Sequence, residues 1–444
     1  MKKFWNSTTT LMRILIIGGL ATGIYFGVTY LVDSGVIPSK EDNSLSENEI
    51  NDLKSDGATE IDVCVVTWPG YAGGQYYNNG FDANPDSRFL TEQDLIVNFH
   101  VVDDFDASRK GFISGEYDLL WQTTGAFSTE VDGLKKSGIE PVIVFQADWS
   151  RGGDAIVARK GIGNVTDLCS EGVMGSKNKV AVAPMTPSHT FLLKTLEAEG
   201  KSANDITIIE VASAIDAADL FKAGEVEAAV VWSPDDITCV ESQKGSSVII
   251  NTKTATNIIA DIFYAKREFV DANKEELQRF VEGWMIGSAE INENTNGAKQ
   301  KAAKILSEGL NIPMEDAVSS LDNVRLCTYG DNVNFFGLNN SYNGVTGENL
   351  YTSMGKAYSK IGYAPSSIPS WRSVTDLSII NGVNLNGNQH QAEGGKTFTE
   401  ITEEDYVAEA VTTKPVTISF NTGSSSLDAN SKYIIDQEFV DIAK

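Results

Sequence analysis

Three groups of side chains in this chain have the types and spacing to hold a small molecule. The first is aromatic: Trp68 and Tyr71 flank a Pro69-Gly70 bend directly after an apolar run. Such rings wall a pocket by stacking or by excluding water, or else they serve only as packing. The second is polar. Thr123 and Thr124 follow Trp121 and offer hydroxyls and turn amides, while Trp232-Ser233 pairs an aromatic wall with a polar contact. Thr186-Pro187-Ser188-His189 has a cap residue followed by proline, the pattern that opens a helix whose free amides and positive end suit an anion. Plain helix capping accounts for the same residues without a ligand. His189 would add a cation below about pH 6.5, or else be a surface group. The third group is charged: Asp148, Arg151 and Asp154 surround Gly152-Gly153. Two carboxylates favour an amine, whereas a guanidinium fork favours an anion. An Asp-Arg pair closing a glycine hinge is an equally good reading, so the ligand's charge stays open.

Catalysis and metal chemistry find no comparable support. Four cysteines (Cys64, Cys169, Cys239, Cys327) lack CxxC spacing and the three histidines are far apart, so no metal site and no cofactor is expected. Ser188 beside His189 is not a triad, and neither GxSxG nor HExxH occurs. The chain is therefore read as a binder, not an enzyme. Thirty-five Lys and Arg against 61 Asp and Glu give a net charge of −26, a poor surface for nucleic acid, so none is expected as a partner. Hydrophobic residues at 41% and charged ones at 22% are ordinary for a globular chain, and 444 residues allow two or three domains.

Elements able to position these residues follow from the hydrophobic pattern. Short apolar runs at 63–67, 96–101, 119–121 and 142–145 alternate with helical candidates near 106–114 and 126–136. A second set, 155–158, 180–183, 206–211, 228–232 and 248–251, alternates with helices near 188–199, 213–223 and 234–243. Two α/β lobes with largely parallel sheets fit this order better than one sheet. After a strand at 261–265 the chain turns helical, with Leu277, Phe280, Val281, Trp284 and Ser288 at helical spacing, and is expected to pack back on the first lobe.

At the N-terminus, residues 14–32 are an uncharged run of about 29 Å as a helix, long enough to span a bilayer. Lys2, Lys3 and Arg13 before it and acidic residues after it place 1–13 in the cytoplasm and the rest outside. The apolar run continues past the small residues at 21–23, which favours an uncleaved anchor over a signal peptide. Gly19, Gly23 and Gly27 fall on one helical stripe, either a surface for pairing with a membrane partner or ordinary membrane-helix glycine. Residues 33–60, rich in Ser, Asn, Asp and Glu, read as a linker.

Residues 61 to about 380 resemble extracytoplasmic solute-binding proteins of the nitrate, sulfonate and taurine type, the clamshells that feed ABC importers. The stretches that carry this, in order, are 63–71, the Ser114-Gly115-Glu116-Tyr117-Asp118-Leu119-Leu120-Trp121 run with its Thr123-Thr124-Gly125 turn, 148–158, 180–189, 224–232 and 267–270. The resemblance implies a type II-like two-lobed clamshell, lobe 1 at about 61–150 and 255–380 and lobe 2 at about 151–254. Ligand contacts are expected at strand ends: Trp68, Tyr71, Thr123, Thr124, Asp148, Arg151, Asp154, Thr186, Ser188, His189, Trp232 and Ser233. The same fold serves a pyrimidine synthase family of thiamine biosynthesis, whose cysteine-rich motif is absent here. Cys169 and Cys239, both in the second lobe, are the expected disulfide if one forms.

Residues 381–414 again read as linker, and 415–444 resemble the first strand and helix of an OmpA-like peptidoglycan-binding domain. That unit is incomplete, so a truncated α+β fragment of a longer chain is expected. The whole is read as a membrane-anchored solute-binding protein for a small polar or anionic ligand, with a membrane permease and, in full-length form, peptidoglycan as partners. The alternative is a structural or sensory envelope protein that uses the clamshell as an interaction module.

Overall fold

The computed structural model describes residues 43–171, 175–233 and 235–394. The chain divides into two compact units, Met1–Gly395 and Lys396–Lys444. The second unit, the expected anchor at 14–32 with Gly19, Gly23 and Gly27, and the OmpA-like stretch at 415–444 lie outside the described residues. Among the described residues no helix is long and apolar enough to cross a membrane.

Strands are numbered along the chain: β1 (Thr59–Val65), β2 (Leu95–Val101), β3 (Leu119–Thr123), β4 (Pro141–Ser150), β5 (Asp154–Ala158), β6 (Lys179–Val182), β7 (Thr207–Glu210), β8 (Ala228–Trp232), β9 (Ser247–Asn251), β10 (Ala260–Lys266) and β11 (Val324–Leu326). They form two sheets, one in the order β11-β4-β10-β3-β1-β2 and one in the order β7-β6-β8-β5-β9. Each has a parallel core, β2-β1-β3 and β7-β6-β8, because helical crossovers connect those strands. The remaining pairings are antiparallel, so the sheets are mixed and not largely parallel as the alternation suggested. Apart from the edge pair β11–β4, the difference has one source. β4 runs straight into β5 and β9 returns into β10, and a strand entering a sheet from the other lobe arrives against the direction of the local crossovers.

Those two crossings are the hinge, and they place the ends of β4, β5 and β10 side by side. β4 and β5 are buried over every residue, which explains their β-branched and aromatic content. Beneath the first sheet the helix Lys274–Asn292 buries Leu277, Phe280, Val281, Trp284 and Ser288, the face that the helical spacing marked. Trp284 centres the core, its ring 5.0 Å from Phe145, 5.1 Å from Phe263, 5.7 Å from Phe280 and 5.8 Å from Phe99. The second lobe has its own smaller clusters on the two faces of its sheet, around Phe191 and Phe221.

Three expectations are corrected. The linker expected over 33–60 contains the helix Glu47–Ser55, opened by a capping box between Ser46 and Glu49, and β1 starts at Thr59. No residue of that helix is buried, so its composition carries no apolar stripe to announce it. The linker expected from 381 packs on the first lobe as far as Glu393, where Thr328 Oγ1 donates to the Gln391 carbonyl (2.9 Å) and the Glu393 amide donates to Asp331 (2.7 Å). Polar contacts and two apolar anchors, Val383 and Leu385, hold it, too few to make a hydrophobic pattern. The Cys169–Cys239 disulfide is not formed: all four thiols are free, and Cys239 is buried with its Sγ facing the Ala218 carbonyl.

Truncating Trp284 removes the ring shared by four aromatic neighbours. Trp284→Ala is expected to lower the unfolding free energy by about 3–5 kcal/mol in a urea titration; a loss under about 1 kcal/mol contradicts the central placement of this ring.

Candidate ligand-binding site

The hinge geometry brings three carboxylates into one buried place. Asp148 near the end of β4 lies directly opposite Asp261 at the start of β10, and Asp154 opens β5 opposite Trp232 of β8. All three are at most 3% exposed. Their partners are neutral: Trp68 Nε1 donates to Asp148 Oδ2 (3.3 Å), the Tyr71 hydroxyl to Asp261 Oδ2 (2.7 Å) and Ser150 Oγ to Asp154 Oδ2 (2.8 Å). Asp148 Oδ1 and Asp154 Oδ1 have no hydrogen-bond partner. The Trp232 indole N–H lies beside Asp154 and draws its pKa down a little, yet it completes no hydrogen bond.

Burial raises all three carboxyls. Asp154 is pushed up to about 7 by desolvation, against the Ser150 hydrogen bond. Asp261 is raised by burial, with Asp154 adding repulsion and the Tyr71 hydroxyl opposing, and Asp148 is raised further by burial and by its neighbour Asp261. A buried carboxylate with only neutral donors is costly, and protonation or a cation relieves it.

A small cavity lies against this cluster, walled by Trp68, Trp121 and Trp232 with Val66, Pro187 and Ile259, and bounded by Asp154 and Asp261. It measures about 20 Å³, room for roughly one water, so a solute of several heavy atoms enters only if the lobes part. Glycines let the walls meet. A Cβ on Gly153 would fall 2.1 Å from Trp68 Cη2, and one on Gly70 would fall 1.8 Å from Asp148 Oδ2. Val66 and Trp232 also line a larger cleft of about 790 Å³ between the lobes. Its charged lining is acidic (Asp103, Asp104, Asp106, Asp235) apart from Arg109, which is paired with Asp106 and Glu130.

The residues expected from sequence divide accordingly. Trp68, Asp154 and Trp232 line the small cavity, Asp148 stands directly behind it, and Thr186 and Ser233 line the larger cleft. Tyr71 does not wall the pocket; it is fully buried and supports Asp261. Thr124 Oγ1 donates to the Ala260 carbonyl (3.0 Å), and Thr123, the last residue of β3, is buried opposite Asp261 of β10 and lines neither cavity. Arg151 turns away to Glu393 (2.6 Å) and pairs with neither Asp148 nor Asp154. His189 is neither a cation nor a surface group. It is buried between the rings of Tyr358 and Tyr363, its Nδ1 accepts from the Met185 amide, and desolvation lowers its pKa to about 4. Ser188 is fully buried with an unpartnered hydroxyl at the start of the helix Pro187–Ala198.

Sequence reasoning missed Trp121 and Asp261. Both left a signal: Asp261 is a lone charge inside an apolar strand just after the second crossing, and Trp121 ends the run that leads into the Thr123-Thr124 turn.

No match to this chain is found among curated proteins. Residues 87–307 match the model of the NMT1-like family. Among solved structures, the periplasmic aliphatic sulphonate binding protein SsuA from Escherichia coli superposes at a TM-score of 0.53 and 17% identity, over 73% of this chain and 99% of its own. The ligand-binding component of an ABC-type import system from Staphylococcus aureus, with zinc bound, gives 0.54 and 10% over 73% and 99%. The periplasmic nitrate-binding protein NrtA from Synechocystis PCC 6803 gives 0.51 and 14% over 74% and 86%. The described body has the α/β periplasmic-binding-protein fold.

Asp154 carries a testable signature. Its raised folded pKa means that its contribution to stability is whole below about pH 4 and is lost as pH rises through about 7. The wild-type thermal midpoint is expected to fall from pH 5 to pH 8.5, and Asp154→Asn to fall less. The rise from the ordinary carboxylate value to about 7 bounds the gap at pH 8.5 at about 4 kcal/mol. Equal pH slopes for the two proteins contradict this placement.

Proposed function

We propose that this chain is an extracytoplasmic solute-binding protein of the ABC-import kind, which captures a small molecule by closing its two lobes. The observation that carries the reading is the aromatic cavity at the hinge, walled by residues of both lobes and faced by two residues with unsatisfied buried polar atoms, Asp154 and Trp232. The NMT1-like match and the similar solved structures, two of them named for binding sulphonate and nitrate, support the class. Binding without chemistry is part of the proposal. Burial raises the thiols of Cys64 to about 12 and of Cys239 to about 11, the opposite of a nucleophile's environment.

Anchoring and tethering belong to the same proposal and rest on sequence. The uncharged run at 14–32 would hold the lobes at the outer membrane face near a permease, and the OmpA-like resemblance of 415–444 would add contact with peptidoglycan. Tethering of this kind raises the local concentration at a membrane partner, a use for which a freely diffusing binding protein is not suited.

Thermal-shift screening against small-molecule classes tests the reading. One class at 100 times its Kd is expected to stabilise by about 2.7 kcal/mol. Trp68→Ala, which opens the cavity wall, and Gly153→Ala, which drives a methyl into the Trp68 ring, are each expected to abolish the shift. Absence of any shift at millimolar concentration contradicts it.

A further inference from the structure

The solute-binding reading leaves the ligand's charge undecided, and the cavity bears on it directly. Every charged group on the small cavity is a carboxylate, and the walls between them are three indoles. An anion placed there would meet Asp154 and Asp261 at contact distance, with Asp148 behind them and no Lys or Arg side chain on the lining. The nearby guanidinium, Arg151, lines neither cavity: its Nη2 is held by Glu393, and its buried Nη1, without a hydrogen-bond partner, acts electrostatically on Asp148 behind the cavity. Asp154 is 2% exposed, lines the space, and keeps Oδ1 without a partner. Indole faces attract cations through their quadrupole, most strongly when water is excluded, and a ring of them around carboxylates is the arrangement that suits a substituted ammonium. The acidic lining of the adjoining cleft would draw in a solute of the same sign.

We infer that the solute is an organic cation, a quaternary or alkylated ammonium whose head is caged by Trp68, Trp121 and Trp232 and neutralised by Asp154 and Asp261. The inference rests on the solute-binding reading. A compact inorganic cation would leave the indoles without a role, and a primary ammonium would need hydrogen-bond acceptors on several sides, where this cavity offers apolar faces from Val66, Pro187 and Ile259. Uptake of the cation requires ionised carboxylates, so protons compete with it. The titratable groups around the site are Asp148 on β4, Asp154 on β5, Asp261 on β10, Tyr71 beside Asp261, and Cys327 just beyond β11; Arg151, turned to Glu393 past the end of β4, acts on Asp148 through its charge.

Calorimetric titration of the full chain with choline chloride and tetramethylammonium chloride, beside sodium methanesulfonate and sodium nitrate, decides the matter. The ammonium ions are expected to bind at pH 8 and at least ten-fold more weakly at pH 5.5. Trp232→Ala is expected to weaken them at least ten-fold. Asp154→Asn, in which an amide takes the place of a neutral acid of the same size, is expected to weaken them and to flatten the pH dependence while the protein stays folded by circular dichroism. Binding of methanesulfonate or nitrate but of neither ammonium ion overturns this inference and leaves the solute-binding reading standing. Failure of all four overturns the inference as well, and the wider reading falls with it only if the thermal-shift screen is also blank.

Discussion

Three carboxylates buried where two lobes meet, with only indole, phenol and hydroxyl groups to satisfy them, are the constraint on which the rest of this structure depends. Asp148 and Asp261 face each other across a strand pair and Asp154 begins the strand that leaves the hinge. Two ionised carboxylates at that spacing in a dry setting repel strongly, and each loses its hydration. The closed arrangement therefore has a cost that varies with protonation and with what else enters the cavity. On the proposed clamshell reading, a hinge loaded in this way would convert a local charge into a difference between open and closed arrangements.

The surroundings are organised around keeping that cluster dry. Gly70 and Gly153 have no side chain because Asp148 and the Trp68 ring occupy the space one would fill. Tyr71 packs its ring on Phe263 and Trp121 and spends its hydroxyl on Asp261, so that one residue belongs to both the core and the site. Thr252 at the second crossing ties Ser150 and the Gly152 amide together (2.8 Å each), joining the two hinge segments. On the far side of the cleft, Tyr358 of the helix Gly347–Lys360 meets Thr190 at 2.8 Å and packs on His189, so the sequence that follows the second crossing also touches the second lobe.

Much of this was legible in the sequence, and the parts that were not have physical reasons. Strand and helix positions followed from apolar periodicity, because nearly every strand is buried on at least one face. The mixed direction of the sheets was hidden, since periodicity carries no information on which neighbour a strand meets. Helix Glu47–Ser55 and the segment ending at Glu393 were read as linkers because the first buries no residue and the second is held by polar contacts and only the isolated apolar residues Val383 and Leu385. Of the residues expected at strand ends, Trp68, Asp154 and Trp232 line the small cavity and Asp148 stands behind it. Arg151 was placed with them because proximity in sequence at a hinge does not say which way a long side chain turns. His189 was misjudged for a related reason: its burial depends on Tyr358 and Tyr363, some 170 residues away.

The central claim is that the charge state of the three hinge carboxylates sets lobe separation. Fluorophores on Asp106→Cys and Ile215→Cys, one on each side of the cleft, in a background with Cys169 replaced by Ser, report that separation by energy transfer. The account predicts close lobes at pH 5, wider separation at pH 8.5 as the carboxylates ionise, and on adding an alkylated ammonium ion at pH 8.5 a narrowing that stops short of the pH 5 distance, because the caged ion is larger than the closed cavity. A separation that does not change between pH 5 and pH 8.5 contradicts it.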